Sequence, residues 1–243
     1  MSIAIDIHIA EKRYGERTVL RDVSLQLQEG EIVSLIGASG CGKSSLLSIV
    51  SGLDRDFSGE IKLNGVPLHG VSRDIGFIFQ EPRLFPWLTV AQNVAFDSND
   101  DEGARTLATR LLSEVGLHDH AGALPKQLSG GQAQRAAIAR GLFTQPKLLL
   151  LDEPFSAVDA FTRMKLQDLL LKIAYQHRLT VLLVTHDIDE ALYLSDRVVL
   201  LDGTANPALT EFHPSPAPRK RGDANEATLK TAILDSLHSA HAI

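Results

Sequence analysis

Ile3, Ile5, Ile7 and Ile9 alternate with Ser2, Ala4, Asp6, His8 and Ala10, the period of two that marks a half-buried strand. Val23, Leu25 and Leu27 repeat the alternation up to a turn at Glu29-Gly30. IVSLI (Ile32 to Ile36) is almost continuously apolar, as a strand buried on both faces is. EIKLNG predicts a short strand with a turn at Asn64-Gly65. Four later apolar runs follow: IGFIF before Gln80, KLLLL before Asp152-Glu153, TVLLVT before His186, and RVVLL before Asp202-Gly203. Between Glu81 and Leu142 the period changes to that of helices. There ARTLATRLLSEVGL carries Leu107, Leu111, Leu112 and Val115 on one face. The stretch NPALTEFHPSPAPRKRG is Pro-rich and reads as loop. DANEATLKTAILDSL then places Leu229, Ile233 and Leu237 at helical spacing, with Asp223 and Glu226 as a variant capping box.

These elements predict an α/β fold in which several buried strands stop at polar residues. In open α/β sheets, ligands bind beyond the carboxyl ends of the strands. Gly37, Gln80, Asp152, Glu153 and His186 are therefore expected to meet at one edge.

Length and charge narrow the classes. A chain of 243 residues with 44% hydrophobic and 22% charged residues can bury a sizeable core. Its formal charge of -6 lacks the basic footprint of a nucleic-acid binder. Cys41 is the only cysteine, so no intrachain disulfide forms and a reducing compartment is expected. No apolar run is long enough for a bilayer span, and MSIAIDIHIA is not a signal peptide. The expectation is a cytoplasmic protein that sits on a membrane only through a partner.

GASGCGKS (Gly37 to Ser44) follows the buried strand Ile32 to Ile36 and fits G-x-x-x-x-G-K-[ST] without a mismatch. Glycines let backbone N–H groups wrap phosphate oxygens, and the following helix start adds positive potential. The whole loop, Gly37, Ala38, Ser39, Gly40, Cys41, Gly42, Lys43, Ser44 and Ser45, is expected to hold a nucleotide. Lys43 reaches the β- and γ-phosphates and Ser44 ligates Mg²⁺. LLLLDEP sets two carboxylates at a strand end: Asp152 for Mg²⁺ and Glu153 as the general base that polarises water. By its place at a strand end His186 is expected to contact the γ-phosphate, and Gln80 to sense Mg²⁺. Tyr14, just after the first strand, either stacks on adenine or is a surface hairpin tyrosine; spacing alone does not choose. LSGGQ opens a second anion-seeking helix start at Ser129, far from the first.

GASGCGKS, Gln80, LSGGQ, LLLLDEP, SAVDA and VTHD, in this order over about residues 1 to 203, resemble the nucleotide-binding subunit of an ATP-binding cassette transporter. The resemblance implies a P-loop nucleotide hydrolase core with an antiparallel β subdomain and an inserted helical subdomain, about residues 81 to 142. Residues 204 to 243 are then a Pro-rich linker and a C-terminal helix. It also implies ATP and Mg²⁺ as cofactors and a head-to-tail homodimer. In that dimer Ser129, Gly130, Gly131 and Gln132 serve the partner's γ-phosphate, while Asp159 lines the seam. Membrane permease subunits are implied as direct partners, a periplasmic solute-binding protein as an indirect one, and the cytoplasmic face of a bacterial inner membrane as the location. FQEPRLFPWLTVAQNVAF, LDEPFSAVDAFTRMKLQDLL and VLLVTHDIDEAL are similar to importers of the nitrate, taurine and aliphatic sulfonate group, most of all the aliphatic sulfonate cassettes. Typical members have Gly-Ala-Leu where Ser156-Ala157-Val158 stands. Phe85, Pro86 and Trp87 either pack in the core or dock a helix of the permease. Two other classes fit less well: a soluble cassette ATPase, disfavoured by the acidic balance and the absence of a coiled-coil insertion, and a P-loop small-molecule kinase, which explains neither LSGGQ nor Glu153.

Overall fold

Alternating and continuous apolar runs become the strands they predict in a computed structural model, which describes residues 2–96, 98, 101–202 and 209–241. In chain order the elements are β1 (Ile3–Tyr14), β2 (Arg17–Gln28), β3 (Ile32–Ile36), α1 (Lys43–Val50), β4 (Ser58–Leu63), β5 (Val66–Pro67), β6 (Ile75–Ile78), α2 (Val90–Val94), α3 (Glu102–Glu114), α4 (Gly130–Leu142), β7 (Leu148–Asp152), α5 (Ala160–His177), β8 (Thr180–Val184), α6 (Ile188–Leu194), β9 (Arg197–Leu201), β10 (Leu209–Phe212) and α7 (Ala224–His241). They divide into two units, residues 1–72 with 178–243, and residues 73–177.

The first unit holds an antiparallel sheet in the order β2-β1-β4-β5. Its register places Ile5, Ile7 and Ile9 opposite Leu27, Leu25 and Val23, all on one face and all buried. Ile3, expected to share that face, is 41% exposed, because a register shift between Ile3 and Ile5 takes it out of step. In the second sheet of this unit β3 lies between β8 and β9, parallel to both. Strands β3 and β8 are buried along their full length, as strands covered on both faces must be.

The tail departs from its loop reading. Leu209–Phe212 pairs antiparallel with β9, Phe212 opposite Val198. Arg197 secures this edge, donating to Glu211 Oε1 at 2.8 Å and to Glu31 Oε1 at 2.9 Å. Four residues amid prolines carry too weak a pattern; the ladder to β9 and the Arg197 pairs make the strand. Residues 203–208 of the same stretch lie outside the described residues. Helix α7 buries Ile233 against Ile36, Ala191, Leu192, Val198 and Leu200, with Leu229 and Leu237 beside it. Its apolar stripe is the one the spacing predicts. The Glu226 carboxylate accepts the N–H of Ser215 at 2.9 Å.

In the second unit β6 and β7 are parallel neighbours. Helix α3 starts on an Asp101 cap, whose Oδ1 accepts the Ala104 N–H at 2.7 Å. It buries Ala104, Ala108, Leu111 and Leu112, with Val115 after its last turn. Leu107 is only half-buried, so alanines carry part of the predicted stripe.

Candidate nucleotide-binding and hydrolysis site

The P-loop runs from the end of β3 into α1. Gly37 has φ 153°, and a Cβ there would lie 2.5 Å from the Leu201 carbonyl oxygen. Gly42 has φ 107°, and its Cβ would meet Leu20 Cδ2 at 2.6 Å. Both glycines are thus required by the backbone path as well as by close packing. Helix α1 begins on Gly42 with no side-chain cap, so its start is a place where an anion can act as the cap. Lys43 is buried, and its Nζ donates to the carbonyls of Gly37 at 2.9 Å and Ala38 at 2.8 Å. The ammonium is thereby held over the loop, where phosphate oxygens would compete for it. Ser44 is exposed and Ser45 half-buried on the first turn. Burial pushes the Cys41 thiol up against the pull of Lys43. A cavity of about 200 Å³ adjoins the loop, lined by Ala38, Ser39, Gly40 and Cys41 of the loop itself and by Arg17, Thr18, Val19 and Leu237. The last four have no motif and could not be found from sequence.

His186, exposed, sits in the same unit between β8 and the N-cap of α6, Asp187. Tyr14 ends β1 with the residue 53% exposed, and its hydroxyl donates to Asp54 Oδ2 at 3.2 Å. Its hollow is bordered by Ser48, Leu53, Asp54, Arg55 and Asp56.

Asp152 is the last residue of β7, half-buried. Glu153 follows at φ 44°, a region that costs a non-glycine residue on the order of 1 kcal/mol and collects at functional positions. A short relay holds the turn: Gln80 Nε2 donates to Ser156 Oγ at 3.1 Å, and that hydroxyl donates to the Glu153 carbonyl at 3.0 Å. Ser156 is the departure from the usual Gly-Ala-Leu, and here it links two predicted site residues within one unit.

Ser129 caps α4 in a reciprocal capping box: its Oγ accepts the Gln132 N–H at 3.3 Å, and Gln132 Oε1 accepts the Ser129 N–H at 2.8 Å. The two glycines between them differ. A Cβ on Gly131 would lie 2.4 Å from Thr162 Cγ2, so helix packing demands it. A Cβ on Gly130 would meet nothing nearer than Val158 at 4.0 Å, and Gly130 is exposed. Packing around Gly130 therefore does not require a glycine there. Asp159 Oδ1 accepts the N–H groups of Phe161 at 3.1 Å and Thr162 at 3.0 Å at the start of α5. Hydrogen bonds from Thr162 hold its carboxyl below the ordinary range.

The loop after Gln80 is tied down by side-chain hydrogen bonds. Arg140, in the last turn of α4, donates to the Arg83 and Pro82 carbonyls at 2.7 and 2.8 Å. Fully buried Asn93 accepts the Phe85 N–H at 2.7 Å and donates to the Phe85, Leu88 and Thr89 carbonyls. On this frame Trp87 is 71% and Phe96 57% exposed, their rings 5.6 and 4.3 Å from Phe85. The cluster is therefore a surface feature. Neither Arg140 nor Asn93 stands out in the sequence.

Ser44 in the first unit and Gln80 and Asp152 in the second each carry an oxygen donor, the ligand type that suits a hard cation such as Mg²⁺. Among the described residues no cluster of three His, Cys, Asp or Glu side chains forms a self-contained metal site. No helix there is long and apolar enough to cross a membrane.

The family described as "ABC transporter" matches residues 20–156. The chain is 61% identical, over 99% of its length and 98% of the relative's, to the "Aliphatic sulfonates import ATP-binding protein SsuB 1" of Xanthomonas axonopodis pv. citri. It is 55% identical over 98% of both chains to the protein of the same name in Pseudomonas syringae pv. syringae. Among solved structures, a dimeric post-hydrolysis state of the ATP-binding cassette MJ0796 bound to ADP and Pi is 33% identical, with a TM-score of 0.75 over 87% of this chain and 99% of its own. The cbiO1 subunit from Clostridium perfringens, part of the ABC transporter complex cbiONQ, shares the fold at a TM-score of 0.81 over 99% of this chain and 98% of its own, at 24% identity.

Proposed function

Since the chain belongs to the ATP-binding cassette transporter family, we propose that it is the ATPase subunit of an importer for aliphatic sulfonates. The carrying observation is that near-full-length relatives at 52 to 61% identity bear that function in their names.

In this reading the protein hydrolyses ATP to ADP and phosphate. The P-loop N–H groups and Lys43 bind the β- and γ-phosphates. Tyr14 stacks on adenine. Ser44, Gln80 and Asp152 hold Mg²⁺, which when bound neutralises charge on the phosphates. Glu153 takes the proton of the attacking water, and His186 orients that water against the γ-phosphate. Each hydrolysis needs a second copy of the chain, whose Ser129, Gly130, Gly131 and Gln132 point the exposed, Ser129-capped start of α4 at the γ-phosphate. Asp159 lines the seam. The exposed Trp87 and Phe96, with half-buried Phe85 against them, offer an apolar patch for a helix of a membrane permease. Through that permease the protein sits peripherally on the cytoplasmic face of the inner membrane, and a periplasmic solute-binding protein delivers the solute.

The test is Glu153→Gln. It should keep ATP binding, slow hydrolysis by about 10²–10⁴ and let an ATP-bound dimer accumulate on size-exclusion chromatography. Turnover at the wild-type rate would remove Glu153 from its role.

A further inference from the structure

One charged group of the first unit has no place in the chemistry above. Lys12, two residues before Tyr14 on β1, is 2% exposed. Its ammonium donates to Asp54 Oδ1 at 3.0 Å and to the Asp56 carbonyl at 2.6 Å, and pairs with Asp54 Oδ2 at 2.9 Å. Taking such a charge out of water costs several kcal/mol unless it is fully paired. Burial alone would lower the Lys12 pKa, but its bonds to Asp54 and the charge of Asp56 raise it instead. Asp54 answers in kind: burial would raise its carboxyl, yet Lys12 and the Asp56 N–H hold it below the ordinary range.

What this pair touches is Tyr14. The Lys12 ammonium lies 4.6 Å from the centroid of the ring, a cation–π distance. Asp54 accepts the hydroxyl. One ring face and the ring's far edge are therefore fixed, while the residue as a whole stays 53% exposed. Asp54 is itself tied to α1, because its N–H and that of Leu53 both reach the Ser48 carbonyl at 3.0 Å. The same helix begins in the P-loop. At the other end of the hairpin tip Arg17, the cross-strand partner of Tyr14, donates to the Gly40 carbonyl at 3.4 Å. The tyrosine is thus referenced twice to the phosphate-binding loop.

We infer that Lys12 and Asp54 are positioning residues for the nucleotide base: together they clamp Tyr14 in one rotamer, with a free face at a set distance from the P-loop. The inference rests on the reading of Tyr14 as the adenine-stacking side chain. An unclamped surface tyrosine would lose rotamer freedom each time a base bound, and pre-orientation removes that cost. Contact with the cation also draws electron density from the ring, which favours stacking on an electron-rich purine.

The experiment measures KM and kcat for ATP, with inorganic triphosphate as a competing ligand that engages the P-loop but has no base. Tyr14→Ala should raise KM roughly tenfold, within the range of base–aromatic stacking. Asp54→Asn should raise KM about fivefold with kcat and triphosphate inhibition retained, and should have no further effect on KM in the Tyr14→Ala background. Tyr14→Phe, which cuts only the hydroxyl tether, should raise KM two- to threefold and guards against an Asp54→Asn protein that fails to fold. Three results would overturn the inference while leaving Tyr14 in its role: unchanged KM in both Asp54→Asn and Tyr14→Phe, an equal rise for Asp54→Asn with and without the tyrosine, or weakened triphosphate inhibition. Unchanged KM in Tyr14→Ala would overturn the stacking reading and the inference with it.

Discussion

Gly130 and Gly131 are adjacent and identical, yet the structure assigns them different reasons. Gly131 must be small because Thr162 fills the space a Cβ would need. Gly131→Ala should therefore destabilise the protein by about 1–3 kcal/mol, the usual cost of overpacking, and adding Thr162→Ser should restore most of it in urea melts. Gly130 faces open space, so Gly130→Ala should leave the melt within about 0.5 kcal/mol. In the Glu153→Gln background it should nevertheless weaken ATP-dependent dimer formation, because it puts a methyl group where a partner's phosphate must approach. A Gly130→Ala protein that dimerises normally would place the reason for that glycine elsewhere. Glu153, at φ 44°, shows the same separation: the DEP string names its chemistry, while its backbone strain and the Gln80–Ser156 relay exist only in the folded turn.

At the scale of elements, α4 and the loop after Gln80 act as one assembly. The helix begins in the exposed capping box at Ser129 and ends in Arg140, whose guanidinium spans two carbonyls of the loop. Burial lowers the pKa of that guanidinium, and the two carbonyls compensate its lost hydration. The loop then carries Trp87 at 71% exposure. Trp87→Ala should change the stability of the isolated subunit by no more than about 0.5 kcal/mol. Retention of the permease in pull-downs should fall markedly, since exposed aromatic anchors dominate interface energies. A large loss of stability with intact assembly would return the aromatic cluster to the core-packing reading. Because Trp87 is the only tryptophan, its fluorescence reports on this loop directly.

At the scale of the whole molecule the question is whether the signature at Ser129 serves its own ATP or another copy's. Take Lys43→Ala and Ser129→Arg, each also carrying Glu153→Gln so that bound ATP stays trapped. Each homodimer has both sites damaged and should occlude no ATP. In a mixed dimer, a signature acting on the partner puts both lesions in one site and leaves the other intact, so one ATP per dimer should be occluded. A signature acting on its own P-loop leaves a lesion in every site. Differentially tagged mixed dimers that occlude nothing would end the in-trans reading.

The residues themselves determined much of this protein. GASGCGKS, LSGGQ and LLLLDEP are contiguous strings, and their chemistry needs only local backbone: a glycine turn, a helix start, a strand end. The strands Ile32–Ile36 and Thr180–Val184 were legible for the same reason, since burial on both faces writes an unbroken apolar run. Tertiary structure decided what depends on partners distant in the chain. Leu209–Phe212 is a strand because β9 and Arg197 receive it. Leu237 borders the P-loop cavity because α7 folds back onto the sheet. Lys12, Asp54 and Tyr14 form one unit across 42 residues of sequence. A single buried lysine leaves no periodic trace; its meaning lies in the carboxylate and the ring that the fold brings to it.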